Sequence, residues 1–307
     1  MKNSLKNIFY QQADLLISVL PYVYKESDFA VHGGTAINFF IRDMPRISVD
    51  IDLIYQEILP RDDTLKNISE GLKAMSDGIE SDIQGIKVEQ KIYGDNLTSK
   101  LFITRENALI KIEPNQIIRG NVFGTQDRDI SPRAEEVFEK FITSKIMSFE
   151  DVYGSKICAA LDRQHPRDLF DIKLLLQNEG ITEKTKKAFL VYLISNNRPI
   201  AELLEPHILD IKPVFEREFT GMVVNEVELE ELLITRERLI RIINDNISDN
   251  EKEFLVSFKE GEPKWDLLGV ESVSELPSIK WKLINIGKMS SSKHNEAINK
   301  LKKALKY

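Results

Sequence analysis

Cysteine is nearly absent from this sequence. Its single copy, Cys158, cannot build a disulfide framework or a multi-cysteine zinc or iron–sulfur site. Histidine is scarce too, with four residues and no HExxH or similar metal-binding pair. Fourteen glycines and eleven prolines in 307 residues are too few for a collagen-like or low-complexity chain. No apolar run approaches the ~18–20 residues needed to cross a bilayer, and residues 8–24 are apolar only in a helical pattern. The segment Met1 to Tyr10 has two lysines but no apolar stretch ending in small residues, so no leader peptide is expected. The expectation is a cytoplasmic protein with no membrane contact.

What is present points to a folded chain. Hydrophobic residues make up 42% and charged residues 30%, which excludes wholesale disorder, and the length suits about two domains. The net charge of −7 is unevenly spread. Lys280 to Tyr307 holds eight lysines and one acid, Glu296, so this stretch is +7 and the remainder −14. Such a basic stretch can contact phosphates, but the preferred reading is a solvated amphipathic helix.

Periodicity organises the chain. Helical spacing predicts a helix over 4–24, and Phe29-Ala30-Val31 reads as a buried strand ending at Gly33-Gly34. A short helix follows over 35–41. Residues 49–55 (VDIDLIY) alternate with period two and form a strand. A helix over 63–79 precedes strands at 84–93, 98–105 and 108–113, with turns at Gly94-Asp95-Asn96 and Glu106-Asn107. A further strand is expected near 137–142. Helices at 149–162 and 166–179 are separated by His165-Pro166, the proline suiting a first helical turn. From 183 onward the patterns are helical, broken at Pro199, Pro206, Pro213 and Pro263. The expected plan is α+β: a mixed sheet with flanking helices in a domain over 1–182, then a helical C-terminal domain over 183–307.

The stretch His32 to Asp52 carries the chemistry. Gly33 and Gly34 allow close backbone approach to a ligand. Thr35 opens a helix whose N-terminal N–H groups favour phosphate. Asp50 and Asp52, at i and i+2 of a strand, share one face. Two neighbouring carboxylates invite a hard divalent cation with oxygen ligands, such as Mg²⁺.

Gly33-Gly34-Thr35-Ala36 followed by Arg46, Ser48, Asp50 and Asp52 resembles the AbiEii-type branch of the polymerase-β-like nucleotidyltransferase superfamily, with its GGTA…R-x-S-x-D-x-D motif. The wider superfamily usually has Gly-Ser; this chain keeps a hydroxyl with Gly-Thr. A second string, KICAALDRQHPRDLFD at 156–171, matches the family's lysine, arginine–aspartate pair and further aspartate at Lys156, Arg167, Asp168 and Asp171. The lysine can stabilise triphosphate charge. Asp168 and Asp171 share a helix face, so one can hold Lys156 while the other acts on the acceptor or orients the nucleotide. Glu113, ending an apolar strand, stands where a third carboxylate is expected, as metal ligand or general base.

The resemblance spans about residues 28–175. It implies a polymerase-β-like fold and a transferase that passes NMP from an NTP to an acceptor hydroxyl with release of pyrophosphate. The implied catalytic set is Asp50, Asp52, Glu113, Lys156 and Asp171. Gly33, Gly34, Thr35, Arg46, Ser48 and Asp168 would bind nucleotide. Mg²⁺ or Mn²⁺ would sit on Asp50, Asp52 and Glu113. It further implies a bacterial toxin–antitoxin or phage-defence toxin acting on the tRNA 3′ end or another RNA, with a cognate antitoxin. Two alternatives stay open: transfer to a protein hydroxyl, including self-modification, and a non-catalytic nucleotide- or RNA-binding regulator. His165 is expected to start a helix, and Cys158 to be an inert core thiol.

Overall fold

A computed structural model describes residues 7–94 and 96–307. The chain forms two compact units. The first runs to Val152 and takes in a returning segment, Phe219–Val227; the second comprises Tyr153–Glu218 and Glu228–Tyr307. The units do not divide at the expected boundary of 182/183. The division falls earlier because helix α5 (Phe149–Asp162) closes on helix α7 (Glu183–Ser195). A Cβ at Gly154 would stand 2.7 Å from Ala188 Cβ, so only glycine allows that approach.

In the first unit, α1 (Asn7–Lys25) leads to β1 (Phe29–His32), the short helix α2 (Gly33–Ala36) and a π-helical turn at Ile37–Ile41. Next come β2 (Asp50–Tyr55), α3 (Arg61–Asp82), β3 (Ile86–Tyr93), β4 (Leu97–Arg105) and β5 (Ala108–Pro114). β6 (Thr125–Asp129), α4 (Pro132–Phe138) and β7 (Thr143–Met147) complete it. The expected helix start at residues 4–6, and Asp95 of the expected turn, lie outside the described residues.

The seven strands form one mixed sheet in the order β3-β4-β5-β2-β1-β7-β6. β2 runs antiparallel to β1 and parallel to β5, so three strands that are far apart in sequence meet at the centre. Alternation decides the faces. Ile51 and Leu53 of β2, Leu101 and Ile103 of β4, and Ile110 and Ile112 of β5 are buried, and α1 and α3 lie against these strands. Leu15, Leu16, Val19 and Leu20 of α1 are fully buried too, each such side chain stabilising by roughly 1.5–3 kcal/mol. The opposite parity places Lys100, Lys111, Glu113, Asp50 and Asp52 together on the other face.

Two expectations need correction. The strand foreseen near 137–142 is instead the end of α4, a left-handed residue at Glu139 (φ 55°) and a connection into β7. Strand β6 escaped the pattern because TQDRD has no apolar residue to alternate. It is an exposed edge strand held by its antiparallel ladder with β7.

The second unit is helical. α6 (Pro166–Gln177) and the largely buried α7 precede two short turns, α8 (Ile200–Leu204) and α9 (Lys212–Val214). α10 (Leu229–Asn246), α11 (Asp249–Glu260), α12 (Pro277–Gly287) and α13 (Ser291–Leu305) follow. Sequence sets several ends. Glu228 and Ser248 open α10 and α11 with reciprocal capping boxes, and Gly261 closes α11 in the left-handed region (φ 94°). Phe254, Phe258 and Trp265 cluster at ring separations of 5.7–6.3 Å. Among the described residues, no helix is long and apolar enough to cross a membrane.

Candidate active site

Strand register assembles the first unit's site. Across three strands, His32 of β1 faces Asp52 of β2, which faces Glu113 of β5; one step along, Asp50 faces Lys111. All therefore lie on one face of the sheet. Asp52 is exposed and Asp50 half-buried.

The glycine turn is shaped against this face. Gly33 has φ +63°, the left-handed region that side chains resist, and a Cβ there would meet Asp52 Oδ2 at 2.5 Å. Both facts demand glycine. Gly33→Ala is expected to cost about 1–3 kcal/mol from backbone strain and to displace Asp52; a melting temperature unchanged from the parent would refute this. A Cβ on Gly34 would stand 2.9 Å from Arg46 Nη2 and 3.2 Å from Ser48 Oγ.

Thr35 joins turn to strand. It is fully buried, and its hydroxyl donates to the Asp50 carbonyl at 2.6 Å and lies 3.0 Å from Ser48 Oγ. Its oxygen thus holds the acid strand beside the turn. Arg46 is buried as well, and its Nη1 donates to the Ile47 carbonyl at 2.9 Å. Ladder bonds from Ile47 N to Met222 O (2.8 Å) and from Val224 N to Pro45 O (3.0 Å) tie this segment to the returning strand-like stretch. Those bonds explain why Phe219–Val227 belongs to the sheet unit.

Two lysines complete the face. Lys100 Nζ lies 2.5 Å from Glu113 Oε1; Lys111 Nζ lies 3.3 Å from Glu113 Oε2 and 3.9 Å from Asp50 Oδ2. Burial pushes the Glu113 carboxyl up, but the two ammoniums outweigh it and hold the group below the usual range. Burial likewise lowers Lys111, and Asp50, Glu113 and Asp52 more than reverse this. Lys100 was not foreseen: its alignment with Glu113 is visible only once the β4–β5 register is known.

Among the described residues, no three His, Cys, Asp or Glu side chains form a cluster that could hold a metal ion as they stand. Each Glu113 oxygen meets a lysine, and Asp50 and Asp52 present further carboxylate oxygens on the same face. Two carboxylates, with substrate phosphates and water, are an ordinary donor set for Mg²⁺.

The second motif string is gathered within the second unit. Lys156 Nζ lies 2.8 Å from Asp168 Oδ1 and 3.2 Å from Asp171 Oδ2, with all three side chains buried. The sequence left open which aspartate holds the lysine; both do. Arg163 adds a two-pronged contact to Asp168, Nε at 2.6 Å and Nη2 at 3.0 Å. Burial alone would raise Asp168; Lys156 and Arg163 overcome it and hold the carboxyl well below the usual carboxylate range. Arg163 carried no signal in sequence, because the His165-Pro166 break separates it from its partner. His165 caps α6, its Nδ1 accepting from Arg167 N at 3.1 Å. Cys158 is buried and its thiol is pushed up by burial, an inert core group.

A glycine turn latched to a two-carboxylate strand at the centre of a mixed sheet is the layout of a nucleotidyltransferase. The sequence matches the family described as "Nucleotidyl transferase AbiEii toxin, Type IV TA system" over residues 14–283. The chain belongs to this family of nucleotidyltransferase toxins, and membership implies a cognate antitoxin. In fold it is similar to MenT4, a nucleotidyltransferase toxin from Mycobacterium tuberculosis H37Rv. The TM-score is 0.60 at 12% identity, covering 91% of this chain and 93% of that one. No curated protein sequence matches the chain.

Proposed function

We propose that this toxin transfers NMP from an NTP to an acceptor hydroxyl on RNA, the tRNA 3′ end foremost, with Mg²⁺ or Mn²⁺ on Asp50 and Asp52. The observation that carries the reading is the fit of Gly33 against Asp52, with Thr35 bonded to the Asp50 carbonyl. It fixes a bare backbone turn beside two carboxylates, so the turn can take the β- and γ-phosphates while the acids face the α-phosphate. Arg46 and Ser48 stand behind the turn and set its position. The bound ion would neutralise phosphate charge and lower the pKa of the acceptor hydroxyl.

In the reaction the acceptor oxygen forms a bond to the α-phosphorus. The bond from that phosphorus to the bridging oxygen breaks, and pyrophosphate leaves. Glu113, held ionised by Lys100 and Lys111, is the carboxylate offered to the acceptor's proton, which passes on to water. Glu113 would join the metal only by giving up a lysine. Lys156, Asp168 and Asp171 are buried against one another within the second unit, where the lysine's charge balances the two carboxylates. The basic stretch Lys280 to Tyr307 suits an RNA backbone in the cytoplasm.

The test incubates the protein with Mg²⁺, each of four α-³²P-labelled NTPs and total bacterial RNA. Label in tRNA-sized bands from a preferred NTP is expected. Label on protein alone would move the acceptor to a protein hydroxyl. No label in either, with NTP still bound, would leave a regulator.

A further inference from the structure

The loop after β5 holds a charged side chain that the site above does not use. Arg119 is only 7% exposed, and its Nε and Nη1 have no hydrogen-bond partner. Among the described residues no ion pair joins a carboxylate to it, and its nearest charged influence is a second cation, Arg61, at the first residue of α3. Burying a cation without a partner is costly, so such a group is kept in place by strong local structure or by a ligand.

The local structure is strong, and it is built around Arg119 rather than to relieve it. Asn115 Oδ1 accepts from Ile117 N and Ile118 N at 2.9 and 2.8 Å. On the other side Gly120 N donates to the Tyr55 carbonyl at 2.8 Å, and Asn121 bonds Gln56 at 3.0 Å. The backbone is pinned immediately before and after the arginine. Tyr55 also ties in α3, its hydroxyl accepting from Asn67 Nδ2 at 2.9 Å. The two arginines thus belong to elements fastened to one residue, at the end of β2. Asp50 and Asp52 are at its start, about 10–17 Å away at ~3.3 Å per residue. Asp62 and Asp63 stand beside Arg61 in the first turn of α3, and Glu57 accepts from the Tyr55 hydroxyl at 3.2 Å, so an anion here must be held by the arginines.

We propose that Arg119 and Arg61 form an oxyanion site for a phosphate group, separate from the Asp50–Asp52 face. Two guanidiniums offer forked donors to the several oxygens of a phosphate and supply the charge that the buried group lacks. The phosphate can be free or part of a polynucleotide backbone. The inference does not depend on the transferase reading.

Thermal unfolding of the full chain tests it, with inorganic phosphate titrated at constant ionic strength against Arg119→Met and Arg61→Met. A ligand that binds only the folded state raises the melting temperature. Phosphate is expected to raise that of the parent, and Arg119→Met to need about tenfold or more phosphate for the same rise. Arg61→Met, altered at an exposed position, should fold normally and show a smaller loss of response. Phosphate bound at the glycine turn is common to all three proteins and cancels from the comparison. Equal phosphate responses in parent and both variants would overturn the site, and an acetate response equal to phosphate would overturn the ligand class. A short RNA without NTP separates the sources. Weaker binding in Arg119→Met assigns a phosphodiester, and unchanged RNA binding with a lost phosphate response assigns free phosphate.

Discussion

Asp50→Ala is expected to abolish nucleotidyl transfer and leave the fold standing. The side chain is part-exposed at the start of β2, and Lys111 keeps Glu113 as a partner when Asp50 is gone. An exposed pair of this kind is worth ~0–1 kcal/mol, so the melting temperature should scarcely move. The chemistry has no such reserve. Asp52 stands against the glycine turn and Asp50 shares its strand face, and catalysis of phosphoryl transfer is mostly positioning and charge neutralisation. Loss of a preorganised charge-stabilising group typically costs ~10²–10³-fold in rate, and on the proposed reading Asp50 is such a group. Incorporation of label from an α-³²P NTP, beside a melting curve, measures both halves. Transfer within tenfold of the parent would remove Asp50 from the site, whereas a collapsed melting curve would make it a structural residue.

The positions of Asp50 and Asp52 were readable because a strand has period two, and a motif of fixed spacing lay beside them. What sequence could not supply was everything set by register between distant strands. Lys100 meets Glu113 only because β4 and β5 pair with Leu101 opposite Ile112. Glu113 therefore looked like a third acid in the sequence and proves to be an acid with a lysine on each oxygen. Thr35 shows the same limit in a different way. Its hydroxyl was expected on a phosphate, and it is instead buried on the Asp50 carbonyl, because the turn folds back onto the strand 15 residues later. The edge strand β6 was invisible for lack of apolar residues, whereas the helices from 149 to 177 were legible from helical spacing and a proline at a first turn. The phosphate-facing Arg119 had no motif at all. Its isolation is a property of the folded surroundings.

Lys156→Met should strongly destabilise the second unit. It leaves Asp168 and Asp171 buried with their shared cation gone, and breaking a buried ion pair from one side costs about 3–5 kcal/mol. Arg163 still holds Asp168, which places the effect toward the lower end. The same network sets an acid limb. Because Asp168's carboxyl is held below its unfolded value of about 3.9, its contribution is fully present above that pH. It is lost as pH falls below it toward the folded value. Asp168→Asn should therefore lower stability at neutral pH and flatten the loss of stability below about pH 4. Melting curves across pH 2–7 measure it; an unchanged acid limb would show that other carboxylates govern it. Lys156→Arg separates structure from chemistry. It keeps the charge between the aspartates but cannot reproduce a point ammonium. A variant that melts near the parent yet transfers nucleotide far more slowly assigns Lys156 to the reaction. Parallel recovery of both would make the triad a structural one.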